Sequence, residues 1–146
     1  MPDRETIERA QEDKREGKSP STQAGEFVRQ EIEHVREGKH GVRSTKQAIA
    51  IGLSEARRAG IDVPAKKGTS KRTQKQAKRD LAKGKKPARK VSAKRSRATV
   101  KALKREGRSA VSKPALAKQA RTSAKRRTAT QRSRAAKKAA RTRARK

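Results

Sequence analysis

The sequence predicts an all-α protein: a short helical hairpin followed by a marginally helical or disordered tail rich in Lys, Arg and Ala. Three observations carry this. Large aliphatic residues recur at helical spacing within residues 20–60 and thin out afterwards. Pro and Gly stand where helices should start and stop. The charge is divided: of 45 Lys+Arg and 14 Asp+Glu, residues 1–63 hold 12 of each and are neutral. Residues 64–146 hold the other 33 cations with only Asp80 and Glu106, so the whole net charge of +31 lies there.

Residues 1–18 read as a charged, weakly docked helix, because Ile7 and Ala10 are the only apolar anchors between 4 and 16. Residues 19–62 read as the hairpin. Ser19-Pro20 is a helix start, with Ser as cap and Pro at the first helical position. Ala24, Phe27, Val28, Ile32 and Val35 then share one face, and Gly38 is a stop. Ser44-Thr45-Lys46-Gln47 matches a capping box, Ser44 covering a free amide and Gln47 reaching back. Ala48, Ile49, Gly52, Leu53 and Ala56 form the apolar arc of the second helix, small enough at Ala and Gly for another backbone to approach. Gly60 suits a left-handed cap, with Ile61 folding back onto Ala56. Two helices make a thin core for a domain of about 40 residues. Self-association through Phe27, Ile49 and Leu53 is therefore expected, while Ile51 points away from that face.

Residues 63–69, with Pro64 and Gly68, read as a linker, and residues 70–146 as the basic tail. Helix formers dominate its segments 70–83, 92–106 and 114–144. Repulsion between like charges, such as Arg134 and Lys138 at i, i+4, opposes them. A polyanion would relieve that repulsion and favour helix.

Composition excludes several function classes. There is no Cys, Trp, Tyr or Asn, and Phe27 is the single aromatic. Disulfides and thiolate metal sites are excluded. No apolar run is long enough to span a bilayer, no signal peptide is visible, and a cytoplasmic setting is expected. A membrane-active cationic peptide would need an apolar helix face that the tail lacks. His34 and His40 are the only histidines; without converging ligands they read as solvated polar groups rather than metal ligands. No nucleophile elbow, P-loop or dinucleotide fingerprint is present, and the carboxylates Glu26, Glu31, Glu33 and Glu37 read as surface charge pairing. An enzyme is not expected, nor any cofactor.

The tail points to a phosphate polyanion, bound by counterion release. The candidate contacts are Lys85, Lys86, Arg89 and Lys90; Lys94, Arg95, Arg97, Lys101, Lys104, Arg105 and Arg108; Lys125, Arg126 and Arg127; and Arg132, Arg134, Lys137, Lys138, Arg141 and Arg143. Without aromatics to stack bases, backbone contact with double-stranded DNA fits better than single-strand or specific RNA binding. The alternatives are an RNA- or ribosome-associated protein using the same tail, and a helix-turn-helix regulator reading bases through Arg43, Lys46 and Gln47.

Two resemblances add to this. The stretch Lys85-Lys86-Pro87-Ala88-Arg89-Lys90 and the closing Ala135-Ala136-Lys137-Lys138-Ala139-Ala140-Arg141-Thr142-Arg143 resemble the basic tails of linker histones and bacterial histone H1-like proteins. Ser21-Thr22-Gln23-Ala24-Gly25-Glu26-Phe27-Val28-Arg29, Glu33-His34-Val35-Arg36-Glu37-Gly38-Lys39-His40-Gly41 and Arg43-Ser44-Thr45-Lys46-Gln47-Ala48-Ile49-Ala50-Ile51-Gly52-Leu53-Ser54 resemble a family of small uncharacterised bacterial proteins, over roughly residues 10–62. The first implies a nucleoid-associated DNA-binding role. The second implies a bacterial setting and no particular activity.

Overall fold

The structure, a computed structural model, describes residues 3–66, 68–86 and 92–144. Among them are seven α-helices, α1 (Arg4–Arg15), α2 (Pro20–Arg36), α3 (Thr45–Arg58), α4 (Lys71–Gly84), α5 (Ala93–Lys104), α6 (Lys113–Lys125) and α7 (Ala129–Ala144), and one 3-10 turn, Ser109–Val111. They form two compact units, Met1–Val111 and Ser112–Lys146.

The antiparallel pair α2 and α3 is the centre of the first unit. Gly52 is the contact point: a Cβ there would stand 2.6 Å from the Val28 Cα, so the two backbones touch where the sequence placed its smallest residue. The expected apolar arcs fill two clusters. Phe27, Ala24 and Ala56 are buried with Ala10, and Ile7, Leu53, Ile61 and Val63 pack around them. Val35, Val42 and Ala48 are buried with Val111, beside Ile32, Ile51 and Ala110. Ile51 thus makes a second apolar contact.

Local signals in the hairpin act largely as read. Ser44 Oγ accepts from the Gln47 amide at 3.2 Å, and Gln47 Oε1 accepts from the Arg43 amide at 3.0 Å. Past Gly60, the Ile61 amide donates to Ala56 O at 3.0 Å, and Ile61 folds onto the core. Ser19 differs. Its hydroxyl sits 2.9 Å from Ser21 Oγ and 3.1 Å from Thr22 Oγ1 rather than on an amide, so Pro20 and the backbone define that helix start.

The first helix is docked, not loose. Thr6 and Ala10 are buried against α2, Arg9 Nε donates to Glu26 Oε2 at 3.0 Å, and Arg9 also donates to the Thr6 hydroxyl. The α1–α2 turn is clasped by Lys18, whose ammonium meets Asp13 and Glu16 at 2.6 Å each. Those two carboxylates hold the Lys18 ammonium above its ordinary range. A two-residue apolar anchor suffices here because small side chains let α1 lie close to Phe27.

The basic half departs from the expected disordered tail. It forms helices α4 to α7 and the 3-10 turn, joined by short loops, and its first part belongs to the folded unit. Helix α4 packs on α3 and runs in the same direction, with Asp80 at Ser54 and Arg58, and Gly84 against the carbonyl of Arg57. Ala77 and Asp80 are buried there. Further on, Leu103 O and Gly107 O accept from the amides of Gly41 and Val42, both at 3.0 Å. Thr45 Oγ1 donates to Ala110 O at 2.5 Å, and the Arg36 guanidinium donates to Val111 O. A Cβ on Gly41 would collide with the Glu106 carbonyl, so glycine is required where this segment lies down.

Two physical effects outweigh the repulsion that argued for disorder. The basic half is rich in Ala, Lys and Arg, all strong helix formers. Its helices also start on caps: Ser70 accepts from the Thr73 amide, and Ser112 accepts from the Ala115 amide. The expected 114–144 helix is divided by a further cap, in which Thr128 Oγ1 accepts from the Gln131 amide while Gln131 Oε1 accepts from the Thr128 amide, both at 3.2 Å.

Candidate nucleic-acid interface

Every described residue of the cationic set is exposed. Lys85 caps α4 and Lys86 follows it. Lys94, Arg95, Arg97, Lys101 and Lys104 lie on α5, with Arg105 at its C-cap and Arg108 just before the 3-10 turn. Arg89 and Lys90 fall outside the described residues. In the second unit, Lys125 ends α6, Arg126 and Arg127 form the turn, and Arg132, Arg134, Lys137, Lys138, Arg141 and Arg143 lie on α7.

The helical state organises some of these charges. On α7, Arg134, Lys137, Lys138 and Arg141 fall at i, i+3, i+4 and i+7, one face with roughly 5.4 Å between successive turns. Arg132 and Arg143 point to the opposite side of the helix. Residues 112–146 hold 14 Lys+Arg and no Asp or Glu, and among the described residues none of these cations forms a salt bridge.

The two acids of the basic half are both turned toward the neutral half. Asp80, fully buried, accepts from Ser54 Oγ at 2.8 Å, Arg58 Nε at 3.1 Å and Gln76 Nε2 at 3.2 Å. Glu106 Oε1 accepts from Arg43 at 3.2 Å. Each acid thereby joins the basic helices to the neutral ones. Alongside Asp80, α3 and α4 leave an open groove of about 540 Å³ lined by Gln47, Ile51, Arg72 and Gln76.

The other candidate surfaces are engaged within the chain. Phe27 is completely buried and Leu53 packs beside it, with α1 contributing to the cover, so the face expected for self-association is filled from within. Ile49 is half-buried. At the start of α3, Arg43 pairs with Glu106, Gln47 caps the Arg43 amide, and Thr45 is bonded to Ala110. Base reading from there would require residues 103–111 to leave.

The structure also brings together residues that the sequence reading left apart. Glu31, His34 and His40 each offer one ligand atom, all within 4.8 Å of one another. Glu31 and His34 are one turn apart on α2, and Gly38, at φ +81°, reverses the chain so that His40 returns to them. His34 Nε2 is 3.1 Å from Asp3 Oδ2, and His40 Nδ1 is 3.2 Å from Gly41 O. The nearby Gln30 amide and the hydrogen bond with His34 hold the Asp3 carboxyl below its ordinary value. Burial pushes the Glu31 carboxyl up; the neighbouring His40 and His34 oppose this and Glu55 adds to it. The Glu-x-x-His spacing at 31–34 was the available signal, and the glycine turn supplies the third member.

Residues 13–67 match a family of unknown function, DUF6496, which agrees with the resemblance seen over the hairpin. No curated protein and no solved structure matches the chain. Among the described residues, no helix is long and apolar enough to cross a membrane.

Proposed function

We propose that this chain binds double-stranded DNA through its phosphate backbone with little sequence preference, as a nucleoid-associated architectural protein of the histone H1-like kind. One observation carries the proposal: residues 112–146 combine 14 cations with no acid, and all the described cations among them are exposed. Such a surface releases condensed counterions when it meets a polyanion. The cations of α5, in the other unit, add further positive charge, whereas residues 1–63 are neutral and contribute structure rather than charge. The lack of aromatics in the basic half favours duplex over single-strand binding.

The test is a salt series with the full chain on duplex DNA, duplex RNA and single-stranded DNA. About ten neutralised phosphates give a log–log slope of roughly −9 on duplex DNA. A slope of about −2, or strong preference for one base sequence, refutes backbone binding. Tighter binding to RNA at matched salt would transfer the same surface to an RNA role. Ending the chain at Val111 removes 14 cations and no acid and should make the slope shallower.

A further inference from the structure

We infer that Glu31, His34 and His40 bind a divalent transition-metal ion of the Zn2+ class, with Asp3 positioning the His34 ring. The ligand set is chemically apt: imidazole nitrogen and carboxylate oxygen are ordinary zinc donors, and three protein ligands leave a fourth position for water.

The spacing suits an ion. Metal–ligand distances of about 2.0–2.1 Å in a tetrahedron place neighbouring ligand atoms about 3.3 Å apart. His40 Nε2 and Glu31 Oε2 already stand 3.5 Å apart, and the set as a whole lies within 4.8 Å. The remaining closure is within reach of side-chain rotation.

The hydrogen-bond roles are more telling than the distances. A backbone carbonyl only accepts, so the His40 Nδ1 beside Gly41 O carries the hydrogen. In the neutral ring, the Nε2 lone pair then faces the carboxylate of Glu31. Two acceptors facing each other need a proton or a metal ion between them, and either would bridge the 3.5 Å from His40 Nε2 to Glu31 Oε2. Asp3 likewise accepts, so His34 Nε2 is a donor and the lone pair of the neutral ring is on Nδ1. Each imidazole therefore has one nitrogen tied to an oxygen, Asp3 for His34 and the Gly41 carbonyl for His40, the arrangement that fixes tautomer and orientation in metal-binding histidines.

Burial supplies an independent observation. Glu31 is 2% exposed, and its Oε1 has no hydrogen-bond partner. An orphaned buried carboxylate oxygen is costly unless something positive occupies its surroundings. His34 and His40 keep side-chain exposures of 18% and 16%, an entry route from solvent on their side. Glu55 acts on the same spot as a further negative charge.

The test uses the full chain without a histidine tag, stripped by chelator and titrated with Zn2+ alone. His34 and His40 are the only histidines, so the imidazole spectrum in solution NMR contains two rings. One Zn2+ per chain is expected, with both rings shifting together at that stoichiometry. Glu31→Gln and His40→Gln should each weaken uptake at least tenfold, and Asp3→Asn about tenfold, as for lost positioning partners of metal-bound imidazoles. Circular dichroism of the apo variants checks their folding, and the wild-type NMR titration does not depend on them. No saturable uptake at micromolar Zn2+, a shift in only one ring, or uptake indifferent to both Gln variants overturns the site.

Discussion

Replacing Asp80 by Ala should release α4 from α3 while leaving the α2–α3 pair intact. Across the α3–α4 contact the carboxylate accepts from Ser54 and Arg58, while its bond from Gln76 lies within α4. The Ser54 bond, from a neutral donor to a buried carboxylate, contributes a net of about 1.5–2 kcal/mol. The Arg58 side chain is 50% exposed and can turn to water, so its pairing is discounted to about 1 kcal/mol or less. The loss is then about 2–3 kcal/mol, or roughly 30- to 140-fold in the equilibrium for local opening. Hydrogen exchange read by mass spectrometry separates local from global effects. Amides of residues 71–84 should exchange faster by that factor, with those of residues 20–36 little changed. Glu106→Ala is the matched control, because it removes an acid whose side chain is 29% exposed from a partner 81% exposed. Its cost should stay below about 0.5 kcal/mol. Unchanged protection over α4 in the Asp80 variant, or equal effects of the two substitutions, would refute the assignment of α4 to the folded unit through Asp80.

Phe27→Ala should cost about 3–5 kcal/mol in urea denaturation, since the ring is wholly enclosed; a loss under about 1 kcal/mol would mean the core is not organised around it. Gly52→Ala should destabilise by about 1–3 kcal/mol although Ala is the better helix former, because the added methyl meets the Val28 backbone; a gain in stability would refute the close crossing. Val111→Asp should free residues 103–111 from the loop at 41–45, seen as new protease cleavage there; an unaltered digestion pattern would count against the docking. Duplex affinity should be flat from about pH 6 to 9, where Lys and Arg stay charged, and a titration midpoint in that window would implicate other groups.

The hairpin was legible because its signals are local. Ser44 and Gln47 lie three residues apart, Gly60 and Ile61 are adjacent, and the Phe27 and Gly52 arcs repeat within single helices. The long-range anchors were not legible in the same way. Asp80 and Val111 are single residues in a cationic background, and their partners lie 22 to 26 residues away for Asp80 and 75 for the Val111 carbonyl. A clue was present: the basic half contains only two acids, and both pair with cations of the neutral half. Disorder was expected because repulsion was weighed over the whole stretch, whereas Ser70, Ser112 and Thr128 start helices one at a time. The Glu31, His34 and His40 group needed the fold itself. Its third member is delivered by the turn at Gly38 and by the two amides that fix the following loop to residues 103 and 107.

The docking of Val111 changes the range over which the cationic end can act. An arm leaving the folded part at Pro64 would contain 83 residues and, fully extended, could span about 290 Å. The stretch from Ser112 contains 35 residues, about 120 Å fully extended, and its helices α6 and α7 measure only about 20 and 24 Å. Each is shorter than one turn of B-form duplex, about 34 Å. A long tether samples distant sites at low local concentration, and a short one holds its charges near the place where the body sits. On the DNA-binding reading proposed above, the docking of Val111 shortens the stretch of chain free of the folded part, and with it the distance over which its cations could reach along a duplex.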